Sequence, residues 1–180
     1  MTRIVALSDT HMEEGLPANL SDFIKGADLI LHAGDFVSPE VYSSLEELAR
    51  LEAVYGNADY PQLKGILPER RVLDVNGARI GLVHMASLSQ DLLGAKMLAR
   101  EMEVEVLIFG HLHRPVVEME KRLLICPGSP TFPRMAPPTL AELEVEGGEV
   151  RVRIVPLGSP SCSYLRHAES LILRESKKGL

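Results

Sequence analysis

Residues 104–113 read Val-Glu-Val-Leu-Ile-Phe-Gly-His-Leu-His. A run this rich in β-branched and aliphatic residues suits a strand buried on both faces. The glycine that ends it hands over to two histidines two positions apart. The same grammar occurs four more times. Residues 4–7 run into Ser8, Asp9, Thr10 and His11, and residues 29–31 into His32, Ala33, Gly34 and Asp35. Residues 53–55 run into Gly56, Asn57, Ala58 and Asp59, and residues 80–83 into His84. Helical patterns lie between these runs at 17–25, 39–51 and 88–102. The second has Ser38 as N-cap, Pro39 at the first helical position, and Val41, Leu45 and Leu48 as an apolar stripe. The third offers Leu92, Leu93, Met97 and Leu98 as its apolar residues. Strands alternating with helices predict βαβ units and parallel pairing.

From residue 71 onward hairpin signals take over. Asn76-Gly77 between 71–75 and 78–83 suits the positive φ angles of a type I′ turn. A second hairpin is expected for 116–119 and 123–126, and a third for 140–145 and 150–155 around Gly147-Gly148. The second half is therefore expected to be mostly antiparallel. The whole predicts an α/β protein of two mixed sheets packed face to face with helices outside. One domain is expected over 1–157. In the tail, 158–180, Leu165, Leu171, Ile172 and Leu173 suit part of a short docked helix, with a frayed terminus as the alternative.

The length of 180 residues fits one domain with a core that needs no disulfide or structural zinc. With 19 Lys and Arg against 25 Asp and Glu the formal charge is −6, which disfavours nucleic-acid binding through clustered cations. No apolar run reaches the ~20 residues of a membrane span. The opening residues are too short and too soon acidic for a signal peptide. Cys126 and Cys162 match no metal or disulfide spacing. A reduced, cytoplasmic protein is expected.

The strand ends carry the functional information. In α/β sheets ligands bind outside the carboxyl ends of the strands. Five strand ends would thus deliver Asp, His and Asn side chains to one crevice, and five of the six histidines lie there. With His32 and Asp59 set aside, the donors are Asp9, His11, Asp35, Asn57, His84, His111 and His113. Seven oxygen and nitrogen donors without cysteine exclude an iron–sulfur cluster and a cysteine zinc finger. They are too many for one ion with an open position and suit two ions, the clamp used for displacement at phosphorus. The mix accepts Mn²⁺, Fe²⁺, Zn²⁺, Co²⁺ or Ni²⁺.

The blocks Asp9-x-His11, Gly34-Asp35, Gly56-Asn57, His84 and Gly110-His111-x-His113 stand in the order D-x-H, G-D, G-N, H, G-H-x-H. In this the sequence resembles the calcineurin-like metallophosphoesterase superfamily. The short chain, with Pro127-Gly128-Ser129 and Pro133-Arg134, is similar to its small YfcE-type phosphodiesterase branch. The resemblance spans about residues 3–156. It implies a four-layer αββα sandwich and two divalent ions, with manganese expected first. Asp9, His11 and His113 would hold one, Asn57, His84 and His111 the other, and Asp35 would bridge. It implies hydrolysis of a small phosphodiester through a metal-bridging hydroxide, with Asp35, Asn57 and His111 among the catalytic residues.

Two positions depart from the pattern. Where many relatives have a histidine after the asparagine, to protonate the leaving group, this chain has Ala58; His32 is either the substitute or a histidine that orients a ligand from behind. Where relatives often have glycine after the fourth-block histidine, it has Met85, which narrows the approach to the second metal. Arg114 and Arg134 are candidate phosphate ligands, and Asp59 is expected to hydrogen-bond a ligand or its loop. Two alternatives stand beside the enzyme: a metal-poor interaction scaffold resembling the retromer-subunit branch, and a nuclease. A membrane partner is not expected, and a homo-oligomer is compatible with the sequence.

Overall fold

The computed structural model describes residues 1–86 and 92–158. Two five-stranded sheets face each other. The first contains β1 (Thr2–Leu7), β2 (Leu29–His32), β3 (Leu51–Ala53), β9 (Thr139–Glu146) and β10 (Glu149–Pro156) in the order β10-β9-β1-β2-β3. The second contains β4 (Arg70–Val75), β5 (Ala78–Val83), β6 (Val106–Phe109), β7 (Pro115–Met119) and β8 (Leu123–Pro127) in the order β4-β5-β6-β8-β7. The helices are α1 (Ala18–Ile24), α2 (Pro39–Glu46), α3 (Pro61–Ile66) and α4 (Leu93–Glu101).

Period-two alternation builds the layers. Ile4 and Ala6, Leu29 and Leu31, Ile80 and Leu82, and Val106 and Ile108 point between the sheets. Val5, Leu7 and Ile30 point the other way, against Leu20, Ile24, Val41, Leu45 and Leu63 of α1, α2 and α3. Leu107, Phe109, Leu124 and Cys126 pack against Ala95 and Ala99 of α4. Three apolar layers thus separate four structural ones, the expected αββα sandwich.

The three hairpins form, and each is antiparallel. The second half is nevertheless less antiparallel than expected, because β6 pairs parallel with both β5 and β8. In the second sheet the parallel strands β5, β6 and β8 lie at the centre with β4 and β7 outside them; in the first, the parallel set β1-β2-β3 reaches one edge and the β9–β10 hairpin forms the other. The two sheets are stitched at their far end by hairpin turns: Gly148 N–H donates to Asn76 O at 2.9 Å, and Asn76 Nδ2 donates to Val145 O at 3.0 Å.

Local differences have local causes. In α2, Ser38 Oγ accepts from Val41 N–H as expected, but the helix stops at Glu46. Leu51 already belongs to β3, opposite Ile30, so the strand expected at 53–55 lies two residues earlier. α4 buries Ala95 and Ala99, whereas Leu93 and Met97, expected on its apolar face, are exposed. Two small residues four apart let the helix sit close to the sheet. Residues 88–91 of the expected helix, and the tail beyond Gly158 with its expected docked helix, lie outside the described residues.

Candidate metal centre

The ends of β1, β2, β3, β5 and β6 meet at one edge of the sandwich. Carboxylate and imidazole atoms of Asp9, His11, Asp35 and His113 lie within 4.8 Å of one another. Asp35 Oδ2 is 3.4 Å from His11 Nε2 and 3.3 Å from His84 Nε2. Asn57 Oδ1 lies 3.0 Å from the same His84 Nε2 and 3.0 Å from His111 Nδ1. All seven expected donors therefore form one cluster in two sets, with Asp35 between them. Asp9, Asp35, His84 and His113 are buried, while Asn57 and His111 stand at the open side.

The backbone turns sharply to achieve this. Asp9, His11, Asp35, His111 and His113 all have positive φ, between 41° and 71°. L-residues enter this region at a cost, and such strain concentrates at functional sites. Gly34 (φ 87°) and Gly56 let the β2 and β3 loops touch: a Cβ on Gly34 would lie 2.7 Å from Gly56 N. Asp59 holds both loops, accepting from Asp35 N at 3.1 Å, Val37 N at 2.8 Å and Gly56 N at 2.7 Å. This is the loop-organising role expected for Asp59.

Proton positions decide what the cluster can hold. A carbonyl oxygen only accepts, so His84 donates Nδ1–H to Ala33 O at 2.8 Å and His113 donates Nδ1–H to Phe132 O at 2.7 Å. In each neutral ring the Nε2 lone pair then faces inward, at 3.3 Å from Asp35 Oδ2 and from Asp9 Oδ1 respectively. His11 Nε2 is buried without a hydrogen-bond partner among the described residues. With these rings neutral, lone pairs would converge on lone pairs, an arrangement that cations between them would satisfy; without a metal, a proton on His84 Nε2 meets Asp35 Oδ2 and Asn57 Oδ1 instead. Backbone carbonyls on Nδ1 are also the usual means of fixing a ligating histidine.

The ionisation of the metal-free cluster reflects the same crowding. Burial pushes the Asp9 carboxyl above its ordinary range. Burial acts likewise on Asp35, but the flanking His11 and His84 and the Ala58 N–H at 2.7 Å outweigh it and hold Asp35 well below the carboxylate range. His84 is raised: burial opposes its charge, but Asp35 beside it prevails. Burial lowers His111 and His113, with the charge of Arg134 acting in the same direction.

The expectation that His32 protonates a leaving group is not supported by its placement. His32 is fully buried, stacked on Phe36 with centroids 3.6 Å apart. Its Nδ1 accepts from Gly34 N–H at 3.1 Å, so Nε2 carries the proton and faces Thr10 Oγ1 at 3.2 Å. Burial drives its pKa far down and keeps the ring neutral. It braces the loops from behind. Of the two arginines, Arg134 has its N–H donating to His113 O at 3.0 Å, and Arg114 directly follows His113 in the chain.

Sequence inspection missed Phe132. Its exposed ring lies 5.6 Å from that of His11 and 5.8 Å from that of His113. The loop that carries it is tied to the cluster: Ser129 Oγ donates to Asp9 O at 2.6 Å, and Thr131 Oγ1 donates to Thr10 O. The Pro-rich character of the segment signals rigidity, but nothing in its pattern says which way the ring faces.

A two-sheet α/β sandwich with a histidine–carboxylate metal site at its strand ends defines the class of protein. The chain belongs to the calcineurin-like phosphoesterase superfamily, whose domain model matches residues 2–148. A probable metallophosphoesterase of Methanothermobacter thermautotrophicus is 36% identical over 168 residues, covering 90% of this chain and 96% of its own. Another, from Methanocaldococcus jannaschii, is 36% identical over 160 residues, covering 86% and 81%. Vacuolar Protein Sorting 29 from Cryptosporidium parvum shares the fold, with a TM-score of 0.73 at 21% identity, covering 86% of this chain and 96% of that one. Membership implies a hydrolase acting on phosphoesters. No helix among the described residues is long and apolar enough to cross a membrane.

Proposed function

We propose that the chain is a phosphodiesterase that acts on small phosphodiesters with two divalent ions, manganese first among the candidates. The observation that carries this is the division of seven donors into two sets about Asp35. Asp9, His11 and His113 would hold one ion, Asn57, His84 and His111 the other, and Asp35 would serve both. When bound, the ions supply Lewis acidity to a phosphoryl oxygen and acidify water for in-line attack.

The chain's own residues hold that chemistry in place. Ala33 O and Phe132 O fix the ring planes of His84 and His113. Asn57 Oδ1 spans His84 and His111 at the open side, where a substrate enters. Arg134, exposed beside the cluster with no hydrogen bond or ion pair to its guanidinium among the described residues, is the candidate to meet the phosphoryl group with one charge, which suits a monoanionic diester. Among the described residues no side chain stands ready to protonate the departing oxygen, since Ala58 occupies the position of the usual histidine and His32 is walled off. Aryl esters should therefore react faster than alkyl esters. A reducing, cytoplasmic setting fits the free, buried thiol of Cys126. All seven donor positions carry competent side chains, which favours the enzyme over the metal-poor scaffold.

The test is a screen of the chelator-stripped chain, reloaded with Mn²⁺, Fe²⁺, Zn²⁺, Co²⁺ or Ni²⁺. Substrates are bis(p-nitrophenyl) phosphate, p-nitrophenyl phosphate and a single-stranded oligonucleotide. Diester cleavage exceeding monoester cleavage, and lost in Asp35→Asn, is expected. Preferred cleavage of the monoester or the oligonucleotide, or none under any ion, would overturn the proposal.

A further inference from the structure

Beside the second donor set the surface sinks into a cavity of about 220 Å³, open on one side. Asn57 and His84 form the wall shared with the donor cluster; Tyr55, Val83, Met85 and Glu69 form the rest. The cavity is therefore continuous with the place where a phosphoryl group would sit. A cavity of about 150 Å³ is enough to hold benzene, so this one has room for a single ring. Its lining is apolar but for the tyrosine, one carboxylate and the donors themselves, and no Lys or Arg is among the lining residues. On the opposite side of the cluster, against His11 and His113, lies the exposed ring of Phe132. The cluster thus has an apolar feature on each flank, one a shelf and one a pocket.

We propose that the cavity is the subsite for one ester group of the substrate, taking an uncharged, ring-sized group against Met85 and Tyr55, with Glu69 rejecting groups that carry a further negative charge. The second ester group lies along Phe132. This rests on the phosphodiesterase proposal and sharpens it: a monoester leaves one flank empty, and a substrate ending in a second phosphate meets a carboxylate. Met85 sets the depth of the pocket and Glu69 its charge preference. Both are exposed side chains outside the donor cluster.

The test uses the manganese-loaded chain and non-hydrolysable phosphinates, read by calorimetry. Diphenylphosphinate should bind about tenfold more tightly than methyl(phenyl)phosphinate, the gain expected from partial burial of one ring. Met85→Trp fills the pocket and should abolish that preference, leaving methyl(phenyl)phosphinate within about twofold. Met85→Gly widens it and should admit a naphthyl group in place of phenyl. Glu69→Gln should improve binding of a phosphinate with a carboxylate on one ring by about fivefold and leave diphenylphosphinate unchanged. Equal weakening of both phosphinates by Met85→Trp, or no effect on either, overturns the subsite while leaving diester hydrolysis intact. Failure of the wild type to bind either phosphinate and to cut bis(p-nitrophenyl) phosphate sinks the phosphodiesterase proposal and the subsite with it.

Discussion

Replacing Gly56 by alanine adds one methyl group at the tightest point of the donor cluster. A Cβ there would lie 2.1 Å from Asp35 Oδ1 and 2.5 Å from Asp35 N, where ordinary contact begins at 3.4 Å. Neither atom can retreat freely. Oδ1 accepts from Ala58 N–H at 2.7 Å, and Asp35 N–H donates to Asp59 Oδ2 at 3.1 Å. Gly56 lies outside the left-handed region, so alanine meets no backbone objection and the effect is purely steric. The carboxylate must move by about 1 Å or more, and a shift of that size at a reacting centre costs on the order of a hundredfold in rate. The expected result is a fall of about 10² in kcat/KM for bis(p-nitrophenyl) phosphate with Mn²⁺, about 2.7 kcal/mol of transition-state stabilisation. Overpacking should also lower stability by about 1–3 kcal/mol. Gly65→Ala is the control, because a Cβ there meets nothing within 4 Å. A Gly56→Ala protein with wild-type turnover and wild-type manganese affinity would refute the placement of Asp35 at the centre of the site.

Three further outcomes follow from the same geometry. Asp59→Ala strips partners from Asp35 N, Val37 N and Gly56 N and should cost about 3 kcal/mol or more in urea unfolding, at 1–3 kcal/mol for each orphaned donor; a loss below about 1 kcal/mol would contradict it. His32 is a base whose folded pKa is depressed by burial, so below its ordinary value of 6.5 the unfolded chain binds a proton that the folded chain refuses. Its contribution is therefore present above pH ~6.5 and is lost as pH falls, and His32→Asn should flatten that part of the stability profile of the metal-free chain; an unchanged slope would show that the ring is not held neutral. Manganese should raise the melting temperature of the stripped chain, by the equivalent of about 2.7 kcal/mol per site at a hundred times the dissociation constant. That gain should shrink in His11→Ala and His84→Ala, and a gain that survived both would place the ions elsewhere.

Much of this architecture was legible because the chain states it locally. Asn76-Gly77 encodes a hairpin, Ser38-Pro39 a helix start, and the period-two runs their own burial. The donor cluster was legible because its members sit one to four residues past a strand, where the sheet direction leaves them one place to go. Other features depend on distant parts of the chain. α3 is a six-residue helix with Gly65 inside it, too short for an apolar period to show. The placement of β9 beside β1 comes from pairing across more than 130 residues, such as Ile4 with Leu143, which no local pattern records. His32 looked like a candidate acid because it adjoins Asp35 in sequence. As the last residue of β2 its side chain turns to the helix side, against Phe36, a direction fixed by strand register. Phe132 and the cavity at Met85 became visible only once loops from different strands had been brought together.

The most direct test of the account is anomalous scattering from crystals of the chain loaded with manganese. Two peaks are expected, one among Asp9, His11 and His113 and one among Asn57, His84 and His111, about 3.5–4 Å apart with the Asp35 carboxylate touching both. A single peak, or manganese bound away from Asp35, would contradict the shared-carboxylate site on which the proposed chemistry depends.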